Sequence, residues 1–378
     1  MIGRDGAPTE SRRVAFDVAP VKEAPTGVGV YAASLATALS ERLGERLVVI
    51  GRRDEAKLDG RLTDAAGWYS FRGRNYHEWL QRHAESDARR GSAGLVHYTN
   101  ASAPLYSRVP FVVTVHDLSL LRYPRLHPRL RLATLPLMLA AIARARLVLV
   151  PSSATRRELQ RVLRVSGRRI VVVRHALPEG RAGLSGTQVG AVLARYRLAA
   201  GQYLLAVGTV EPRKNHRRVL AAFERLAADR PDLKLVFAGP IGWHADSILH
   251  AVEQSPLRER VVLTGYLPAA ELDALIGAST AVCYVSLYEG YGFPIIEAMA
   301  LGAPVVTSNV SAMPETAGGA AVLVDPSDVG SIVRGIELAL GRRDELAGAG
   351  RAWAARRSWH DVAGETAEAY DWALSQRR

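Results

Sequence analysis

Short runs of Val, Leu and Ile alternate with helix-patterned stretches along the whole of this 378-residue chain. The runs are VAFDVA (14–19), LVVI (47–50), GLVHYT (94–99), the strand that opens VPFVVTVHDLSLL (109–121), LVLVPS (147–152) and IVVVRHA (170–176). After the small, polar segment GRAGLSGTQVG (180–190), which reads as a linker, the pattern restarts with YLLAVGT, KLVFAG, VVLTG, AVCYV and VVTSN. Apolar residues at consecutive positions mark strands covered on both faces, which means parallel sheets with helices on either side. The expectation is an α/β chain of two parallel-sheet domains, 1–186 and 187–355. A terminal helix follows in 356–378, with Val362, Thr366, Ala369, Tyr370 and Ala373 at helical spacing.

With 48% hydrophobic residues the chain is globular in type. Cys283 is the one cysteine and sits inside an apolar run, so no disulfide or zinc framework is expected. MIGRDGAPTESRR lacks the apolar core of a secretory signal, and no run reaches the ~18 apolar residues of a spanning helix. Cytoplasmic residence is the expectation, with peripheral contact at the inner membrane face left open. Net charge is +12, unevenly placed: residues 1–186 hold 30 Lys or Arg against 16 Asp or Glu, and the remainder 19 against 21. A basic first half suits an anionic partner, although a codon bias toward arginine gives the same composition.

Between Leu118 and Arg157 there are eight arginines and no acid, and Leu130–Ile142 is apolar. That combination reads as an amphipathic helix whose basic side chains meet lipid phosphates, or as a solvated face. No nucleic-acid module accompanies it, so nucleic acid is not the expected partner. The aromatic and Arg-rich insert at 67–83, with WYSFRGRNYHEWL, has no period that assigns it a fold. SSATRREL reads as a helix start with Ser153 and Thr155 available as caps.

Polar residues at the carboxyl ends of parallel strands are where open α/β sheets place their chemistry. One strand runs directly into His116 and Asp117. TGVGV sets Gly27 and Gly29 at the mouth of a helix expected from about Val30; a ligand loop and a plain turn both fit. VGTVEPRKNH carries Gly208 and then Arg213, Lys214 and Asn215 ahead of a helix, a guanidinium and an ammonium suited to clamping a diphosphate. FAGPIGWHAD and LTGYLP put Gly239, Gly242, Gly265 and Tyr266 on the same rim, where a base could lie against backbone. LYEGYGFPIIEAMALG follows a strand and enters a helix, so the N–H groups of Gly290, Tyr291, Gly292 and Phe293 fall at a helix N-terminus suited to an anion or to sugar hydroxyls. Glu289 and Glu297 bracket that loop. Glu297 interrupts a face otherwise made of Ile, Ala, Met and Leu, which argues against an ordinary surface acid.

Taken together, EGYGFPIIE, GTVEPRKN, VTVHD, TGVGVY and SWHDVAGETAEAY resemble the GT-B glycosyltransferases of family 4, which include retaining bacterial mannosyl-, glucosyl- and rhamnosyltransferases. The resemblance covers nearly the whole chain, with 60–92 its weakest part. It implies two Rossmann-like domains facing across a cleft, with the C-terminal helix crossing back to the first. It implies that Glu297 binds the ribose, that Glu289 and the backbone of Gly290–Phe293 meet the transferred sugar, and that Arg213 and Lys214 bind the diphosphate. Gly27 and Gly29 would let the first domain approach the phosphates and the acceptor, His116 backed by Asp117 would line the sugar, and Arg174 and His175 would fall near a hinge. No Asp-X-Asp sequence is present, so the implied transfer is metal-independent and requires no cofactor, the donor substrate being a nucleoside-diphosphate sugar. AGPIGWH resembles a segment of many GDP-mannose users, which makes mannose from GDP-mannose the expected donor, with UDP-, dTDP- and ADP-linked sugars as alternatives. The acceptor would be a glycan, a lipid-linked glycan or a glycolipid. Two rivals share the architecture or the charge. A sugar-nucleotide 2-epimerase would act on donor without acceptor, and a non-enzymatic carbohydrate- or nucleic-acid-binding protein would not bind a nucleoside diphosphate.

Overall fold

The computed structural model describes residues 13–21, 26–51, 69–70, 75–178 and 184–376. Expectations that fall on 1–12, on 22–25, on most of the aromatic insert before residue 75 and on 179–183 lie outside the described residues. By its internal contacts the chain divides into two compact units. One holds residues 1–118, 129–178 and 357–378, and the other holds 119–128 and 179–356.

The first unit is built on seven parallel strands in the order β3-β2-β1-β4-β5-β6-β7: Arg13–Asp17 (β1), Leu47–Gly51 (β2), Tyr69–Ser70 (β3), Ala93–Tyr98 (β4), Phe111–Thr114 (β5), Leu147–Val150 (β6) and Ile170–Val172 (β7). The second has six parallel strands in the order β10-β9-β8-β11-β12-β13: Tyr203–Val207 (β8), Lys234–Ala238 (β9), Val261–Gly265 (β10), Ala281–Tyr284 (β11), Val305–Ser308 (β12) and Val322–Val324 (β13). Each sheet winds outward in both directions from its first strand. The strand order therefore reverses between β1 and β4 and between β8 and β11, the crevice positions where this topology receives ligands.

The consecutive apolar residues divide between two cores, one on each face of the sheet. In the second unit Leu204, Ala206, Phe237, Cys283 and Val306 pack with Val219, Leu220 and Phe223 of helix His216–Leu226. Tyr203, Leu205, Val207, Val236 and Tyr284 point the other way, onto Ile295 and Met299 of helix Phe293–Ala300. Cys283 is free and buried, and burial pushes its thiol up to about 12. In the first unit helix Trp359–Ser375 opens with a capping box between Ser358 and Asp361. It buries Val362, Thr366, Ala369, Tyr370 and Ala373 and packs on helix Gly27–Leu43.

Several local expectations are corrected. The glycine-led helix begins at Gly27 rather than near Val30, so Gly27 and Gly29 form its first turn, Gly29 buried. Ser152, still extended at φ −152°, is the cap of helix Ser153–Leu163, and its Oγ accepts from Thr155 N–H at 3.1 Å; Ser153 and Thr155 lie inside the helix. The apolar stretch Leu130–Ile142 is two helices, Arg129–Leu132 and Leu135–Arg144, because Pro136 fits only in a first turn. The second half of the supposed linker is helix Gly186–Arg195, begun by a Ser185/Gln188 capping box. The end of the aromatic insert and the residues after it form helices Tyr76–Arg82 and Ala84–Arg90. No helix among the described residues is long and apolar enough to cross a membrane.

Candidate functional site

Because all six strands of the second sheet run the same way, the loops after β8, β9, β10 and β11 share one rim. The loop after β8 contains Gly208 and a short turn of helix, Pro212–Lys214, which ends at Asn215 in a left-handed conformation (φ 65°). Asn215 anchors this turn to the sheet, its Nδ2 donating to the carbonyls of Val285 (3.0 Å) and Pro326 (2.7 Å). Gly239, which follows β9, passes so close to Gly208 that a Cβ there would collide with the Gly208 carbonyl. Gly239 also bridges to Gly265 at the end of β10, and Tyr266 beyond it is exposed. Gly242 is similarly constrained, packed against Thr209.

The loop after β11, across the reversal of strand order, is tied down on both sides. Leu287 N–H donates to the Arg213 carbonyl at 2.9 Å, Glu289 N–H donates to Ser311 Oγ at 3.1 Å, and Thr316 Oγ1 donates to the Tyr291 carbonyl at 2.6 Å. Gly290 and Gly292 are buried, and Tyr291 and Phe293 half-buried. Gly292 (φ 102°, ψ 61°) turns the chain into helix Phe293–Ala300 with no side chain capping its first turn. Glu297 lies within that helix, buried.

The two loops meet at Glu289. Its Oε2 pairs with Arg213 Nη1 at 2.9 Å and its Oε1 with Lys214 Nζ at 2.7 Å, so one carboxylate holds both cations side by side. Arg213 also donates to the Tyr288 carbonyl at 2.9 Å and pairs through Nη2 with the buried Glu211 at 2.7 Å. Lys214 Nζ donates to the Tyr284 hydroxyl at 2.9 Å and lies 4.9 Å from the centre of that ring. Burial alone would raise the Glu289 carboxyl. The Arg213 and Lys214 charges outweigh it and hold the pKa at about 2. Burial lowers Lys214 from its ordinary value even though Glu289 pulls it upward. Two cations and two carboxylates thus sit together beside the reversal of strand order. Glu211, Tyr284 and Ser311 were not singled out from the sequence. An acid two residues ahead of an Arg in the same loop was the one legible signal among them.

His116, Asp117, Gly27 and Gly29 belong to the first unit. His116 Nε2 lies 2.8 Å from the Thr99 carbonyl and donates to it, which leaves Nδ1 as an acceptor. Burial lowers the His116 pKa below 6.5, so the ring is neutral near pH 7. Tyr31, from the helix that Gly27 and Gly29 begin, meets the His116 ring edge-on at 4.9 Å, and His175 is 5.8 Å away. Asp117 is half-buried, and the Arg174 carbonyl accepts from Arg357 Nε at 2.8 Å. Among the described residues, no group of three or more His, Cys, Asp or Glu side chains is gathered as a metal ion would need.

Comparison with known proteins follows the same division. Residues 199–352 match the family model described as glycosyl transferases group 1, and residues 25–179 match glycosyltransferase family 4. The O-antigen chain mannosyltransferase B of Escherichia coli is 35% identical over 264 residues, 68% of this chain and 69% of that one. The 2-deoxystreptamine glucosyltransferase of Streptomyces kanamyceticus is 28% identical over 282 residues, 71% of this chain and 72% of that one. Among solved structures, Anabaena HepE in complex with UDP and glucose superposes with a TM-score of 0.72 at 18% identity, covering 95% of this chain and 99% of that one.

Proposed function

This chain belongs to the group 1 glycosyltransferases, with a family 4 amino-terminal part, and from that membership we propose a metal-independent, retaining transfer of a hexose from a nucleoside diphosphate to a glycan or lipid-linked acceptor. The observation that carries this reading is Glu289 bridging Arg213 and Lys214 at the reversal of strand order. Breaking the bond between the sugar C1 and the diphosphate oxygen sends an electron pair to that oxygen and leaves positive character on the sugar. Arg213 and Lys214 meet the first charge as fixed cations, which takes the place of a metal ion. The acceptor hydroxyl attacks C1, and its proton passes to the departing phosphate oxygen on the same face, which retains configuration. Glu297 binds the ribose, the Gly290–Phe293 backbone and Glu289 take sugar hydroxyls, and His116 Nδ1, with Asp117 beside it, accepts a further hydroxyl. Gly208, Gly239, Gly265 and Tyr266 supply a rim narrow enough for a base and phosphates to lie along backbone, and Gly27 and Gly29 serve the same purpose in the first unit.

A UDP-linked hexose is better supported as donor than GDP-mannose. The Gly242–Trp243 segment carried the GDP-mannose expectation, yet the Trp243 indole N–H donates to the Leu126 carbonyl at 2.8 Å. The fold shared with HepE, solved with UDP and glucose, supports the same choice. Exposed Leu130, lying between Arg129 and Arg131, supports peripheral contact with an anionic membrane. The decisive experiment is a panel of UDP-, GDP-, dTDP- and ADP-sugars read by hydrolysis and thermal shift, for wild type and Glu297→Ala. One nucleotide class should stabilise and be hydrolysed by wild type, with both responses diminished in the variant. Equal responses from the two proteins would remove Glu297 and this site from the reading.

A further inference from the structure

Four buried polar side chains from four elements of the first unit form one hydrogen-bonded chain. The Tyr31 hydroxyl, on helix Gly27–Leu43, lies 2.8 Å from Thr114 Oγ1 at the end of β5. The same Oγ1 lies 2.8 Å from His97 Nε2 on β4, and His97 Nδ1 lies 2.6 Å from the hydroxyl of Tyr370 on helix Trp359–Ser375. None of the four is more than 1% exposed. Burial holds His97 at a pKa of about 3, so its ring is neutral, with one nitrogen donating and the other accepting. Each of the three bonds takes one proton, and their directions are therefore linked along the chain.

The chain ends against a functional side chain. With its hydroxyl held by Thr114, Tyr31 sets its ring edge-on to His116 at 4.9 Å and 4.6 Å from His175, while Trp359 packs beside both, 6.1 Å from His175 and 6.2 Å from Tyr31. Among the described residues His116 makes one hydrogen bond, Nε2 to the Thr99 carbonyl, which stops the ring sliding and leaves its rotation about that bond to be limited by its neighbours. The Tyr31 ring is what blocks rocking on one side.

We propose that Tyr31, Thr114, His97 and Tyr370 are positioning residues for His116, a buried hydrogen-bonded chain that makes the orientation of this ring depend on the seating of the C-terminal helix. This rests on the transferase reading for what His116 does, but not for how His116 is held. Thr114 is the centre of the chain, since its single oxygen serves both Tyr31 and His97. Loss of that oxygen frees Tyr31 to turn and removes a partner from His97 at once.

The test compares Thr114→Val, which keeps the branched shape of a buried strand residue without the hydroxyl, with Thr114→Ser, which keeps the hydroxyl. Steady-state kinetics give kcat and the donor KM, and the 15N shifts and linewidths of the His116 ring, assigned with His116→Gln, report how firmly the ring is held. Thr114→Val should lower kcat roughly 10- to 100-fold with little change in KM, as expected when a reacting geometry loosens. It should also shift and broaden the His116 ring signals while the Nε2–H tautomer is kept by the Thr99 carbonyl, and Thr114→Ser should restore both. Tyr370→Phe should shift the same readouts in the same direction by less, and it carries the test if Thr114→Val does not fold. A lower melting temperature with unchanged kcat and unchanged His116 signals overturns the proposal. Wild type that turns over no sugar nucleotide overturns the transferase reading instead, and the ring signals still decide this one.

Discussion

Replacing Glu289 by Gln removes one charge and almost no volume, which isolates what the carboxylate does for its two cations. Burial would raise its carboxyl above the ordinary 4.5, yet Arg213 and Lys214 hold it at about 2. That difference corresponds to about 3 kcal/mol in favour of the ionised form. The side chains of Glu289, Arg213 and Lys214 are only 10%, 15% and 13% exposed, so solvent screens little of it. The variant loses this term and leaves guanidinium and ammonium side by side, with Glu211 still beside Arg213, the costly way to break a buried pair. For a unit of this size a loss of ~3 kcal/mol lowers the melting temperature by roughly 6–12 °C. In the proposed function a nucleoside diphosphate brings negative charge to the same place. Its stabilising shift should therefore be larger in Glu289→Gln than in wild type, while turnover falls. Because the folded pKa is depressed, the wild-type advantage is complete above about pH 4.5 and is lost as pH falls through about 2. Thermal shift at pH 7, with and without nucleoside diphosphate, reads the full effect. Equal melting temperatures, or a ligand shift no larger in the variant, would refute the account of Glu289 as the occupant that the diphosphate displaces.

Two further outcomes are expected. Lys214→Ala should lower kcat ~10²-fold or more by removing one cation from the leaving phosphate, with the fold intact by circular dichroism; steady-state rates within a few-fold of wild type would contradict it. Asp17, wholly buried at the end of β1, has its carboxyl raised to about 7 by burial, against the opposing bonds from Ala19 N–H and Tyr76. Here the folded state holds the proton that the unfolded chain releases near 3.8, so stability falls as pH rises from 3.8 through about 7, by up to about 4 kcal/mol. Asp17→Asn should therefore gain over wild type in melting temperature more at pH 8 than at pH 5, and an equal gain at both would disprove the assignment.

What could be read in advance, and what could not, follows from how each residue is recognised. Strands in the middle of the sheets are buried on both faces, and their apolar residues are consecutive: Tyr203–Val207 has no exposed position at all. The edge strand β13 gave no such signal. In Val322–Val324 the middle residue, Leu323, is 45% exposed, and three residues are too few for a period. The same contrast holds in the site. Arg213, Lys214 and Glu289 stand out because charged residues at strand ends are conspicuous wherever they point. Tyr284 does not, because inside AVCYV it looks like core, and its hydroxyl acquires a role only when Lys214, 70 positions earlier, is folded beneath it. His97 is the limiting case. Within GLVHYT it is one polar residue in a buried strand, and its partner Tyr370 lies 273 positions away. Local pattern reports which side chains are turned toward a rim or a core, since that depends on period and burial. Which of them neutralise or hold one another depends on contacts between distant segments. For that reason Arg213, Lys214 and Glu289 each stood out in the sequence, whereas the pairing of one carboxylate with both cations did not.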